Sequence, residues 1–164
     1  MKSWIELLEK RYLVFLLLPY SSRLSRSIRK DRRIFFYDCA AAYDATGGAT
    51  LENLVACSML KFTQFRSDAF RENWELFYLR DRDEREVDFV VTRDQRVEWL
   101  IEVKASDDRV GTSLRRYHKK LQPSQSLQLV LNLDQRQERE GIKIVPLGPR
   151  LAALPYDPPE SVSS

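Results

Sequence analysis

The chain has 164 residues, 43% hydrophobic and 31% charged, which suits one folded domain with a genuine core and excludes fibrous or wholly disordered classes. Its five glycines form neither of the common phosphate-binding loops, so no nucleotide site is expected in this chain. A single histidine excludes His-based zinc sites, and Cys39 and Cys57, with no C-x-x-C, offer neither a disulfide framework nor a zinc ribbon.

The longest apolar run, Leu13 to Pro19, has seven residues, against about 20 for a bilayer span. No small-residue cleavage site follows it, so no membrane association and a cytoplasmic location are expected. The net charge of +3 is uneven, because residues 1–50 hold nine Lys/Arg against five Asp/Glu. The excess lies in Arg23, Arg26, Arg29, Lys30, Arg32 and Arg33, a cluster that suits a phosphate backbone or a plain solvated face.

In chain order, Ser3 to Arg11 reads as an amphipathic helix and Leu13 to Leu17 as an apolar strand ended by Pro19. After the basic segment, Ile34 to Tyr37 is a short aromatic strand, and Asp38 to Tyr43 is helical until the Gly47-Gly48 pair. Thr50 is the expected N-cap of a long helix whose apolar face is Leu51, Leu54, Val55, Ser58, Phe62 and Phe65. Three strands then follow, Glu75 to Leu79, Glu86 to Thr92 and Val97 to Ala105, joined by charged turns and therefore expected as an antiparallel meander. Thr112 to Gln122 is a helix with Leu114, Tyr117 and Leu121 on one face and Arg115, Arg116, Lys119 and Lys120 on the other, a second candidate DNA-binding surface. Leu127 to Leu133 and Ile142 to Leu147 return to strand, and Pro155 to Ser164, with three prolines and three serines, is expected to be disordered.

The chemistry concentrates in the middle of this order. Strand alternation sends Trp99, Ile101 and Val103 to one face and Leu100, Glu102 and Lys104 to the other. Asp88 interrupts the apolar run Val87, Phe89, Val90, Val91, where a carboxylate without a partner is costly to desolvate. On a neighbouring strand, about 4.8 Å away, Glu102 can share one divalent ion with it. Glu52, at the edge of the long helix's buried face, can point to the same place. Three carboxylates, a metal to activate water and a lysine to offset phosphorane charge are what phosphodiester hydrolysis needs. The plain alternatives are a cross-strand salt bridge among Asp88, Glu102 and Lys104, and a Glu52 that only complements the helix dipole. Chance alone supplies a Glu-x-Lys triplet about as often as not, so weight rests on its setting among these elements. His118 reads as an ordinary histidine on a cationic helix, and the two cysteines as small hydrophobes.

The runs L-E-N-L-V-A (Leu51 to Ala56), L-F-Y-L-R (Leu76 to Arg80), R-E-V-D-F-V-V (Arg85 to Val91) and I-E-V-K-A-S (Ile101 to Ser106) carry a resemblance. They resemble the C-terminal domain of unknown function in a large family of bacterial and archaeal AAA-type ATPases, a domain similar to PD-(D/E)xK nucleases. Y-L-V-F-L-L-L-P-Y-S, I-F-F-Y-D-C-A and I-K-I-V-P-L extend it upstream and downstream. The resemblance implies a restriction-endonuclease-like α/β core of helix, three strands, helix and strand, with a small mixed sheet flanked by helices. It divides the chain into a joining segment (1–46), a nuclease-like domain (47–154) and a tail (155–164). It makes Glu52 the first-motif acid, Asp88 the second, and Glu102 with Lys104 the (D/E)-x-K pair. Where the family usually reads D-x-G-L, this chain has Asp38-Cys39-Ala40-Ala41, so that turn is expected to differ.

Two functions are therefore expected. One is a Mg²⁺- or Mn²⁺-dependent DNA phosphodiesterase, its metal held by Asp88 and Glu102 with help from Glu52 and the Val103 carbonyl. The other is a catalytically idle module that binds DNA or a protein. The ATPase that normally precedes such a module is expected either as a separate subunit or as a part lost from a remnant.

Overall fold

A computed structural model describes residues 2–20, 32–42 and 47–154. Helix α1 (Lys2–Lys10) leads into β1 (Val14–Pro19), and β2 (Arg33–Phe36) runs back along it with Phe15 opposite Phe35. A 3-10 turn, Cys39–Ala42, occupies the described part of the helical stretch expected over Asp38 to Tyr43, and Tyr43 lies outside the described residues.

Helix α2 (Gly48–Phe70) begins after Gly47, whose φ of 75° is a conformation that glycine adopts without steric cost. Thr50 is not the cap. It lies inside the first turn, and its hydroxyl donates to Ala42 O at 2.9 Å, tying α2 to the 3-10 turn. The buried face is also rotated from the expected one: Val55 and Phe62 are buried, but so are Asn53, Ala56, Met59, Thr63 and Arg66, while Leu54 and Phe65 are exposed. Hydropathy hid this because Asn53 and Arg66 are buried as hydrogen-bonded polar groups. Asn53 accepts from Phe36 N at 2.8 Å and donates to Phe36 O at 2.9 Å, completing the outer edge of β2. Arg66 donates from Nε to Glu72 at 2.9 Å and lies over the Phe70 and Trp74 rings. Cys57 is half-buried and donates to Phe36 O at 3.1 Å, and burial, with Cys39 beside it, pushes its thiol up to about 12.

The expected meander is present as β3 (Trp74–Arg80), β4 (Glu86–Arg93) and β5 (Arg96–Lys104). Helix α3 (Thr112–Leu121) crosses over the sheet and brings β6 (Gln125–Val130) parallel to β5. Two further elements carried no pattern in the sequence: the polar edge strand β7 (Gln137–Arg139), antiparallel to β8 (Ile142–Pro146), and the short helix α4 (Leu147–Ala152).

Among the described residues the fold is thus mixed α/β, with four helices and one sheet in the order β2-β1-β3-β4-β5-β6-β8-β7. With eight strands it is larger than the small sheet expected. The strands assigned to a joining segment extend it, because β1 lies parallel to β3 through Leu18↔Phe77 and Pro19↔Tyr78. On one face α2 packs Val55, Met59 and Phe62 against Phe89, Val91, Trp99 and Ile101, with Phe62 stacked on Trp99 at 4.9 Å. On the other, Leu114 and Tyr117 of α3 cover Val90, Leu100 and Val130. The expected alternation of β5 is borne out. Among the described residues, no helix is long and apolar enough to cross a membrane.

Candidate functional site

The backbone pairing of β4 with β5 ends at Phe89↔Ile101. Next to that end the strands no longer satisfy one another, and the Asp88 carboxylate takes the Val103 N–H at 2.8 Å. Asp88 therefore sits where two strands part. Burial raises its carboxyl, the negative charge of Glu52 raises it further, and Glu102 adds to this against the pull of the Val103 N–H and Arg33, leaving it at about 7.

Glu102 projects from β5 toward the α3 side and is buried. One oxygen, Oε1, accepts from Lys104 Nζ at 2.8 Å. The other, Oε2, is buried and has no hydrogen-bond partner among the described residues. Gly111, just before α3, explains how the carboxylate fits, since a Cβ there would fall well inside contact distance of Oε2. The loop that carries Gly111 is held by Gln128, which is fully buried beside Glu102 in the register of β5 and β6. Its amide donates to Asp107 O at 2.8 Å and Arg109 O at 3.0 Å and accepts from Gly111 N at 3.2 Å. Burial alone would lower Lys104, but the hydrogen bond to Glu102 and the charges of Glu102, Asp88 and Asp107 raise it instead. It is a fixed cation and cannot serve as a neutral base near pH 7.

Glu52 and Asp88 are linked by a residue that was counted with the basic segment. Arg33 pairs with Glu86 and reaches Glu52 at 3.7 Å and Asp88 at 4.0 Å, with its guanidinium 5.4 Å from the centre of the Tyr78 ring. The structure thus gathers Glu52, Asp88, Glu102 and Lys104 with Arg33 and Glu86 around the parting of β4 and β5. Arg33 has a strand signal: it alternates in register with Phe35, which points into the core. Gln128 carries the same signal as Asp88, a polar residue inside an apolar run.

Among the described residues, no group of three or more His, Cys, Asp or Glu side chains is placed to hold a metal ion. The donor chemistry nonetheless fits one hard divalent cation, because Mg²⁺ commonly uses one or two carboxylates with water or phosphate completing its shell. A buried carboxylate with an orphaned oxygen, Glu102, and a half-buried one, Asp88, meet that need.

Of the other basic candidates, Arg32 is exposed, and Arg23, Arg26, Arg29 and Lys30 lie outside the described residues, as does the proline-rich tail. On α3, Arg116, Lys119 and Lys120 are exposed, while Arg115 reaches Glu140 at 3.0 Å and Lys119 reaches the same carboxylate at 3.9 Å. His118 shares a 2.9 Å hydrogen bond with Ser126 and packs against Gly141, as an ordinary structural histidine would.

A family model described as Domain of unknown function (DUF4143) matches residues 47–149. No curated protein and no solved structure matches the chain.

Proposed function

The chain belongs to the DUF4143 family, and from that premise we propose that Asp88, Glu102 and Lys104 form a divalent-cation-dependent phosphodiesterase site acting on DNA. The observation that carries the reading is the buried, unpartnered Oε2 of Glu102, beside a lysine and within the field of a second, half-buried carboxylate. An orphaned anionic oxygen is costly to bury, and a bound cation would remove that cost. The order α2, β3, β4, β5, α3, β6, with β6 parallel to β5, supports a restriction-endonuclease-like core.

Asp88 and Glu102 would hold Mg²⁺ or Mn²⁺, and Glu52 would act through the shared field rather than as a ligand. When bound, the cation supplies an acidified water and a counter-charge for phosphate oxygens. Lys104, kept protonated, stabilises charge developing on the phosphorus oxygens. Exposed Arg116, Lys119 and Lys120 and the basic segment offer phosphate contacts for positioning DNA.

The test is cleavage of single-stranded, duplex and branched DNA in millimolar Mn²⁺. Activity that disappears in Glu102→Ala with the fold retained supports the reading; a folded wild-type protein with no cleavage of any of the three contradicts it. One observation favours the second reading, a catalytically idle module that binds DNA or a separate ATPase subunit: Arg33 already supplies a positive charge to the carboxylates.

A further inference from the structure

We infer that Arg33 is a built-in cation that keeps the Asp88–Glu102 site closed to divalent metal until its side chain swings out. The inference rests on the metal-dependent reading above and adds a regulatory residue to it.

The Arg33 atom nearest both acids, Nη1, is buried and makes no hydrogen bond among the described residues, yet lies 3.7 Å from Glu52 and 4.0 Å from Asp88. It is sited for charge. The second terminal nitrogen, Nη2, is tethered to Glu86, and the guanidinium lies against the Tyr78 ring. An arginine cannot leave by losing its proton, since its guanidinium stays charged throughout the accessible pH range. Metal and guanidinium compete for the same negative field, so the second cation enters only when the first is displaced.

The displacement is a side-chain movement. Strand β2 is held by the paired hydrogen bonds of Asn53 to Phe36 and by Phe35 in the core, 5.8 Å from the Phe89 ring. An open cavity of about 370 Å³, lined by Arg33 itself with Phe35, Ala42, Ala49, Glu52 and Asn53, offers the side chain room to move. Glu86 is then a latch, because it holds Arg33 inward without belonging to the proposed metal ligands.

Calorimetric titration of Mn²⁺ into the full chain tests this with wild type, Arg33→Gln, Glu86→Gln and Asp88→Asn. The expected result is Mn²⁺ binding at least tenfold tighter in Arg33→Gln, a smaller gain in the same direction in Glu86→Gln, and loss in Asp88→Asn. Metal-free Arg33→Gln should also melt below wild type and recover more on adding Mn²⁺. Binding by wild type with equal or weaker binding by Arg33→Gln would overturn the gate and leave the metal site standing. Absence of binding in every protein would overturn both. Should Arg33→Gln not fold, Glu86→Gln decides alone, and wild-type affinity in that variant rejects the inference.

Discussion

Asp81 opens the turn after β3 and Asp88 lies just inside the start of β4 beyond it, with side chains only 10% and 14% exposed, yet their surroundings drive them in opposite directions. Asp81 is surrounded by donors. Tyr117 OH donates to its Oδ2 at 2.7 Å, as does Arg85 Nε, and the backbone N–H groups of Asp83 and Arg85 donate to Oδ1 at 2.9 and 3.1 Å. Burial would raise its carboxyl, but the Tyr117 and Arg85 hydrogen bonds outweigh burial and hold it at about 2. Asp88 has one backbone donor, a guanidinium 4.0 Å away and two acidic neighbours, and rises to about 7. A carboxylate given every donor it can accept serves the fold. One left short of positive charge is available to bind something.

Breaking the satisfied cluster should have the largest effect. Asp81→Ala strands the buried Tyr117 hydroxyl and frees the turn from α3, and is expected to cost about 3 kcal/mol in urea unfolding. Asp88→Asn should do the reverse. It removes an ill-compensated charge while keeping an acceptor for Val103 N–H, so stability in metal-free buffer at pH 8 is expected to rise by about 2 kcal/mol.

The same contrast appears along the pH axis. For Asp81 the folded value lies below the ordinary carboxylate value of about 4. Its contribution is therefore complete above that pH and is lost as pH falls toward about 2. For Asp88 the folded value lies above the ordinary one, so the folded state holds the extra proton; its contribution is present below about pH 4 and is lost as pH rises through about 7. Melting curves of wild type, Asp81→Asn and Asp88→Asn across this range should show each variant flattening a different limb.

Gly111→Ala sharpens the comparison at lower thermodynamic cost. The atoms nearest the new methyl are those of the Glu102 carboxylate, the end of a flexible side chain, so the carboxylate is what must shift. Mn²⁺ binding should weaken at least tenfold by calorimetry, with a stability change of about 1 kcal/mol or less. The smallest effect is expected at the periphery. If the basic segment contacts duplex phosphates, changing Arg23, Arg26 and Arg29 to Ala should flatten the slope of log affinity against log salt by roughly 0.9 per lost contact. An unchanged slope would favour a protein-facing role for the segment.

How much of this was legible follows from the kind of signal each residue carries. Asp88, Glu102 and Lys104 stood out because charge inside an apolar strand breaks a period-two pattern, and the meander that carries them was legible for the same reason. Arg33 was hidden in a charge run, where its neighbours in sequence mask its alternation with Phe35. Asn53 and Arg66 were missed on α2 because hydropathy assumes that buried means apolar, whereas their burial depends on partners distant in sequence or beyond the helix end. Strand β7, with the sequence Gln-Glu-Arg, has no pattern to read and exists because β8 offers it an edge.

The central claim is that Asp88, even with the Arg33 guanidinium 4.0 Å away, is short of positive charge and that a divalent cation makes up the deficit. Carbon-13 detected NMR titration of the aspartate carboxyls, without metal and in saturating Mg²⁺, tests it most directly. The account predicts an Asp88 midpoint near 7 without metal that falls on adding Mg²⁺, while Asp81 stays near 2 in both conditions. An Asp88 midpoint in the ordinary carboxylate range, or one that Mg²⁺ does not move, would contradict it.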